Sequence, residues 1–154
     1  MEYKNYLKKI HKNSLIVYVA FMASIVIYFI VFEVLNSSIP DFQGFMEKFD
    51  LPWMRYAFYA LGLLQVFLIK FIRDTSIKGL TMIDEKTLII HLSKISTVSA
   101  ALCEVPAILG LVLFFLSGST EDFYVLLFIS LALFVLFFPR YANWEEWIES
   151  RTSH

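Results

Sequence analysis

Cysteine is almost absent from this chain. Cys103 stands alone among 154 residues, which excludes an intrachain disulfide and any cysteine-rich zinc or iron–sulfur site. Charge is scarce as well: Asp, Glu, Lys and Arg make up 18% of the residues, against about 25% in a typical soluble domain. The net charge of −1 leaves no basic footprint for nucleic acid. None of the three histidines (His11, His91 and His154) lies deep in an apolar run, so axial ligands for a haem held between helices are missing. His-Glu-x-x-His, a Gly-x-Ser-x-Gly elbow, a P-loop and a dinucleotide fingerprint are absent too. Cys103 has no nearby histidine in its run to activate it and reads as a small packing residue. These absences argue against an enzyme, a metal centre or a bound cofactor.

Apolar residues are abundant. They make up 58% of the chain, with 16 Phe and 8 Tyr and a mean hydropathy of +0.66, more than one soluble core of this size can bury. Four apolar runs cover residues 15–35, 53–72, 95–116 and 123–139, or 21, 20, 22 and 17 residues. A helix needs about 20 residues to cross a hydrocarbon core of about 30 Å, so three runs qualify outright. The fourth is short and stops at Pro139-Arg140. The expected fold is all-α: an integral membrane four-helix bundle in which residues 1–154 form one membrane domain. The first run exceeds the ~7–15 residues of a signal-peptide core and lacks a small-x-small cleavage site, so it is expected to be retained.

Orientation follows from basic residues. Eleven of the thirteen Lys and Arg fall in or beside the N-terminus, the connection after the second run and the C-terminus, whereas the opposite side holds only Lys48 and Arg55. The positive-inside rule then puts both termini in the cytoplasm.

The connections carry amphipathic patterns. Tyr3, Tyr6, Leu7 and Ile10 have the spacing of a short helix lying on the inner leaflet. Phe42, Phe45, Met46 and Phe49 follow Asp41 with helical periodicity, as in a short interfacial helix. Residues 87–94 present Leu88, Ile89 and Leu92 as a lead-in to the third run. Tyr141, Trp144, Trp147 and Ile148 read as an interfacial aromatic anchor, with Glu145, Glu146 and Glu149 outward.

Polar side chains inside apolar runs need a reason. Glu33 and Arg55 lie near the outer ends of consecutive runs and suit either an ion pair or two snorkelling side chains. Gln65 suits an interhelical hydrogen bond. Glu104 sits near the middle of the third run, two residues before Pro106, whose missing N–H frees the Leu102 carbonyl. Ser96, Ala100, Cys103, Ala107 and Gly110 form a stripe of small residues beside it, a surface on which another helix packs closely. Glu104 therefore faces the bundle or a subunit contact, with Ser24 and Ser130 at a similar depth. Two readings stay open. Glu104 is hydrogen-bonded glue beside a proline kink, or a reversible proton or cation site.

Two resemblances bear on this region. Glu104-Val-Pro-Ala-Ile-Leu-Gly-Leu-Val112 is similar to the Glu-x-x-Ala-Ile-x-Gly-Leu-Val pattern around the proton-binding carboxylate of the rotary ATP synthase c-subunit. That resemblance covers nine residues and implies a proton-binding role for Glu104. The chain departs from that family in having four runs instead of two, in Pro106, and in holding a single glycine, Gly62, across its first two runs. Residues 101–147 also resemble the second half of small uncharacterised bacterial four-span membrane proteins. The shared features are the Glu-x-Pro-Ala kink with its Gly-Leu-Val-Leu run, the Phe138-Pro139-Arg140 exit and Trp144-Glu145-Glu146-Trp147. This resemblance implies a four-helix bundle in a bacterial inner membrane and supplies no activity.

The functional expectation is a non-enzymatic multi-pass protein that acts through packing. It would be a homo-oligomer, or an accessory or scaffold subunit of a membrane complex, with the lipid bilayer as its other partner. The alternative is proton or small-cation translocation using Glu104.

Overall fold

A computed structural model describes residues 2–39, 42–45, 52–78 and 85–152. Within them the chain is all-helical, with five helices: α1 (Glu2–Ser38), α2 (Pro52–Lys78), α3 (Glu85–Ser117), α4 (Thr120–Leu136) and α5 (Tyr141–Thr152). Three of these, α1, α2 and α3, are long and apolar enough to cross a membrane. The fourth candidate span is a bent pair, in which α4 and α5 meet at 46°.

Local chemistry sets the boundaries. Pro52 opens α2 at the first helical position, where its missing N–H costs nothing. α4 starts after Gly118, at φ 68°, and carries Glu121 and Asp122 in its first turn, where the helix dipole favours negative charge. It ends where Phe137 N–H bonds to Leu133 O, because Pro139 pushes Phe138 out of the helical region. Gly118 and Gly44 (φ 82°) face one another. A Cβ on Gly44 would lie 2.8 Å from Gly118 N, and a Cβ on Gly118 would lie 2.9 Å from Gly44 N. With Phe45 N–H donating to Phe115 O at 2.8 Å, this contact lays residues 42–45 across the α3–α4 turn. The segment is a bend and not the expected helix: two backbones meet there with no room for side chains between them. Asp41, Met46 and Phe49 lie outside the described residues.

α3 is the central helix, packing on α1, α2, α4 and α5. The main core joins Tyr18, Ile25 and Phe32 of α1 to Ala100, Cys103, Ala107 and Phe114 of α3 and to Phe123, Leu133 and Phe134 of α4. Outside it the bundle is apolar. Ile16, Ile27 and Val34 on α1 and Leu63, Phe67 and Phe71 on α2 are all more than half exposed. A belt of this size is larger than the scattered apolar side chains of an ordinary water-facing surface.

A second core lies at the end of the bundle that holds both termini. α1 has 37 residues and α3 has 33, about 55 and 50 Å of helix, well beyond an apolar thickness of about 30 Å. Their overhanging turns clasp α5, burying Leu7, Leu88, Ile89, Leu92, Trp144 and Ile148 together. Two expectations change here. The pattern at Tyr6, Leu7 and Ile10 belongs to α1 itself and not to a separate surface helix, because residues 11–14 contain no Gly or Pro to break it. Trp144 and Ile148, 5% and 1% exposed, face this core and not a lipid belt. Lys4 Nζ to Glu145 Oε1 (3.0 Å), His11 Nε2 to Pro139 O (3.0 Å) and Ser14 Oγ to Ser93 Oγ (2.8 Å) tie the same end together.

Candidate functional site

Glu104 is buried at 8% exposure and accepts a hydrogen bond from the Tyr28 hydroxyl of α1. Tyr28 lies ten residues before the end of α1, about 15 Å along the helix, so the pair sits deep in the apolar region. The small-residue stripe beside Glu104 packs inside the chain. Ala100, Cys103 and Ala107 are fully buried. A Cβ on Gly110 would meet Leu126 Cβ at 3.0 Å and Phe123 O at 3.2 Å. The helix seated on the stripe is therefore α4. Ser96, at the start of the stripe, lines a cleft toward the terminal end.

Pro106 is buried where three helices meet. A Cβ on Gly62 of α2 would lie 3.7 Å from Pro106 Cβ and 3.1 Å from Leu126 Cδ2 of α4. Close by, Ser130 Oγ of α4 donates to Cys103 O at 2.5 Å, and Tyr18 Oη of α1 donates to Phe134 O at 2.6 Å. Ser130 thus shares the level of Glu104 as expected. Ser24 bonds to Ala20 O of its own helix. Gln65 is buried one turn from Gly62, and its Oε1 has no hydrogen-bond partner among the described residues, where the sequence suggested an interhelical bond.

The expected Glu33–Arg55 pair is replaced by two other contacts. Arg55 Nε donates to Asp122 Oδ2 at 2.8 Å, and the Tyr59 hydroxyl donates to Asp122 Oδ1. Asp122 is 2% exposed, and α4 packs on α2 so that this carboxylate, and not Glu33, lies against the guanidinium. Glu33 accepts from Tyr124 Oη at 2.6 Å. Tyrosine–carboxylate bonds therefore join α1 to α3, α2 to α4 and α4 to α1.

Sequence reasoning missed Tyr28, Tyr59 and Asp122. Asp122 falls one residue before the fourth apolar run, and tyrosines inside a run count as apolar. The available signal was the coincidence of an Asp at the start of one run with an Arg near the start of another.

Among the described residues no three His, Cys, Asp or Glu side chains are placed to hold a metal ion. No protein-family model matches the chain, and no curated protein or solved structure matches it significantly.

Proposed function

We propose that the chain is a multi-pass inner-membrane protein with both termini in the cytoplasm. It acts through packing, as an oligomer or as an accessory or scaffold subunit of a membrane complex, and performs no catalysis. The observation that carries this reading is where its polar side chains go. Tyr18, Tyr28, Tyr59, Tyr124, Arg55 and Ser130 each bond to a group on a different helix, which makes them cross-links of a bundle. The apolar outer faces of α1 and α2 support the membrane setting, and the bias of basic residues toward the end holding both termini supports the orientation. Native mass spectrometry of the protein extracted from its own membrane tests the role. A specific oligomer or a stoichiometric partner is expected; a strictly monomeric protein that co-purifies with nothing contradicts it.

One observation favours a second reading, proton or small-cation translocation. The Glu104 carboxyl is buried against the Tyr28 phenol with no cation paired to it among the described residues, and an ionisable side chain buried inside an apolar helix is the type of residue that lines proton and ion pathways.

A further inference from the structure

We propose that the cleft between α3 and the α4–α5 turn binds the phosphate headgroup of an anionic phospholipid. This inference rests on the membrane reading above. The cleft has a volume of about 200 Å³. Arg73 enters it from α2, Arg140 from the α4–α5 turn, Ser96 from α3, and Asn143, Trp144 and Trp147 from α5. Two arginines from separate elements thus line one hollow together with Ser96 and Asn143.

The charges around the cleft are arranged for an anion. No carboxylate is among the described residues that line it. Of the acidic groups of α5, Glu145 and Glu149 lie 3.0 and 3.9 Å from Lys4 of α1, and Glu146 does not line the cleft. Neither Arg73 nor Arg140 forms an ion pair with a described residue. Arg73 is held over the Phe137 ring, its Cζ 5.7 Å from the centroid, which keeps the guanidinium beside a residue of the cleft wall. Guanidinium forks bind phosphate oxygens in pairs, and two like charges in one cleft are relieved by an anion between them.

The position selects a lipid over a dissolved ion. The cleft lies where α4 ends at Leu136, at the edge of the apolar belt. Phe137, Trp144 and Trp147 form its walls. α2, which carries Arg73, turns Phe67 and Phe71 outward at 70% and 67% exposure, the surface along which acyl chains run. Basic pockets between helices on the cytoplasmic side of a membrane are suited to anionic headgroups.

The test uses the full chain in nanodiscs of phosphatidylcholine containing phosphatidylglycerol, with the protein-bound lipid fraction read by mass spectrometry. Wild type should enrich phosphatidylglycerol over phosphatidylcholine, and each of Arg73→Gln and Arg140→Gln should lower that preference roughly fivefold. Lys8→Gln/Lys12→Gln removes two charges from the same end, in a separate hollow with His11 and Tyr141, and should leave the preference intact. No enrichment by wild type overturns the proposal whatever the variants do. An equal loss in the lysine variant also overturns it, because it marks diffuse attraction. A further arm adds inorganic phosphate in pure phosphatidylcholine: stabilisation there, without phosphatidylglycerol enrichment, assigns the cleft to a free anion and refutes the lipid. Carbonate extraction of wild type from vesicles is read separately. Release into the supernatant refutes the membrane reading itself, and retention without enrichment refutes only the headgroup site.

Discussion

The hydroxyl of Tyr28 donates to the carboxyl of Glu104, joining α1 to α3 deep in the apolar part of both. In water such a bond is worth little. Between two helices it leaves a buried group unpaired when either partner is removed. Tyr28→Phe should therefore lower stability by about 1–2 kcal/mol. Glu104→Gln keeps an acceptor for the phenol and should cost less. Thermal unfolding in detergent, run as a double-mutant cycle with Glu104→Leu, should give a coupling of about 0.6–1.7 kcal/mol. Strictly additive losses would show that the two side chains do not interact.

Gly110 and Gly62 should respond differently to alanine. At Gly110 the new methyl meets Leu126 Cβ and the Phe123 carbonyl, which yield only if α4 moves, so Gly110→Ala should cost about 1–3 kcal/mol. At Gly62 the tightest contact is the end of a leucine side chain, which can turn aside. The helix-propensity gain of about 1 kcal/mol then leaves Gly62→Ala neutral or stabilising. Melting temperatures of the two variants check the order.

Asp122 is buried while the Arg55 side chain is half exposed. Arg55→Met leaves the carboxylate with Tyr59 alone and should destabilise by about 1–3 kcal/mol, less than for a fully buried pair because water screens the guanidinium. Arg55→Met/Asp122→Leu should recover part of that loss, since it removes the stranded charge as well. Chemical or thermal unfolding of both variants in one detergent decides.

Trp144→Ala should empty much of the second core at a cost of about 3 kcal/mol. The damage should stay local. Hydrogen exchange should quicken in the first turns of α1 and α3 and throughout α5, whereas the amides around Cys103 and Phe123 keep their protection. A uniform loss of protection would mean that the two cores form one cooperative unit.

The Lys4 ammonium is held above its ordinary value of 10.5, first by its hydrogen bond to Glu145 and then by the charges of Glu145 and Glu149. A raised lysine contributes stability in full below the unfolded-state value and loses it as pH climbs through the higher folded one. The difference between wild type and Lys4→Met should therefore be small, constant from about pH 6 to 9, and fading only in stronger alkali. A pH series of melting temperatures reads this directly.

The apolar runs in the sequence foretold the long helices, because hydropathy over about 20 residues leaves few alternatives. Glu104, Pro106 and the small-residue stripe stood out because they break that pattern. Their partners did not. Tyr28 is one aromatic among many in its run, and Asp122 has the ordinary position of a first-turn acid, so only the packing of α4 on α2 brings it to Arg55. Glu33 and Arg55 suggested a pair through nearness in the chain, but the contact depends on how the helices face. The inward turn of Trp144 was hidden for a related reason: an amphipathic aromatic helix looks the same whether lipid or two overhanging helices cover it.

Proton flux in proteoliposomes, compared for wild type, Glu104→Gln and empty vesicles, bears most directly on what the protein does. A packing role predicts no flux above empty vesicles for either protein, with the effects of substitution at Glu104 confined to stability. Wild-type flux that Glu104→Gln abolishes, in a variant that still folds and inserts, would contradict that role and make Glu104 the proton site.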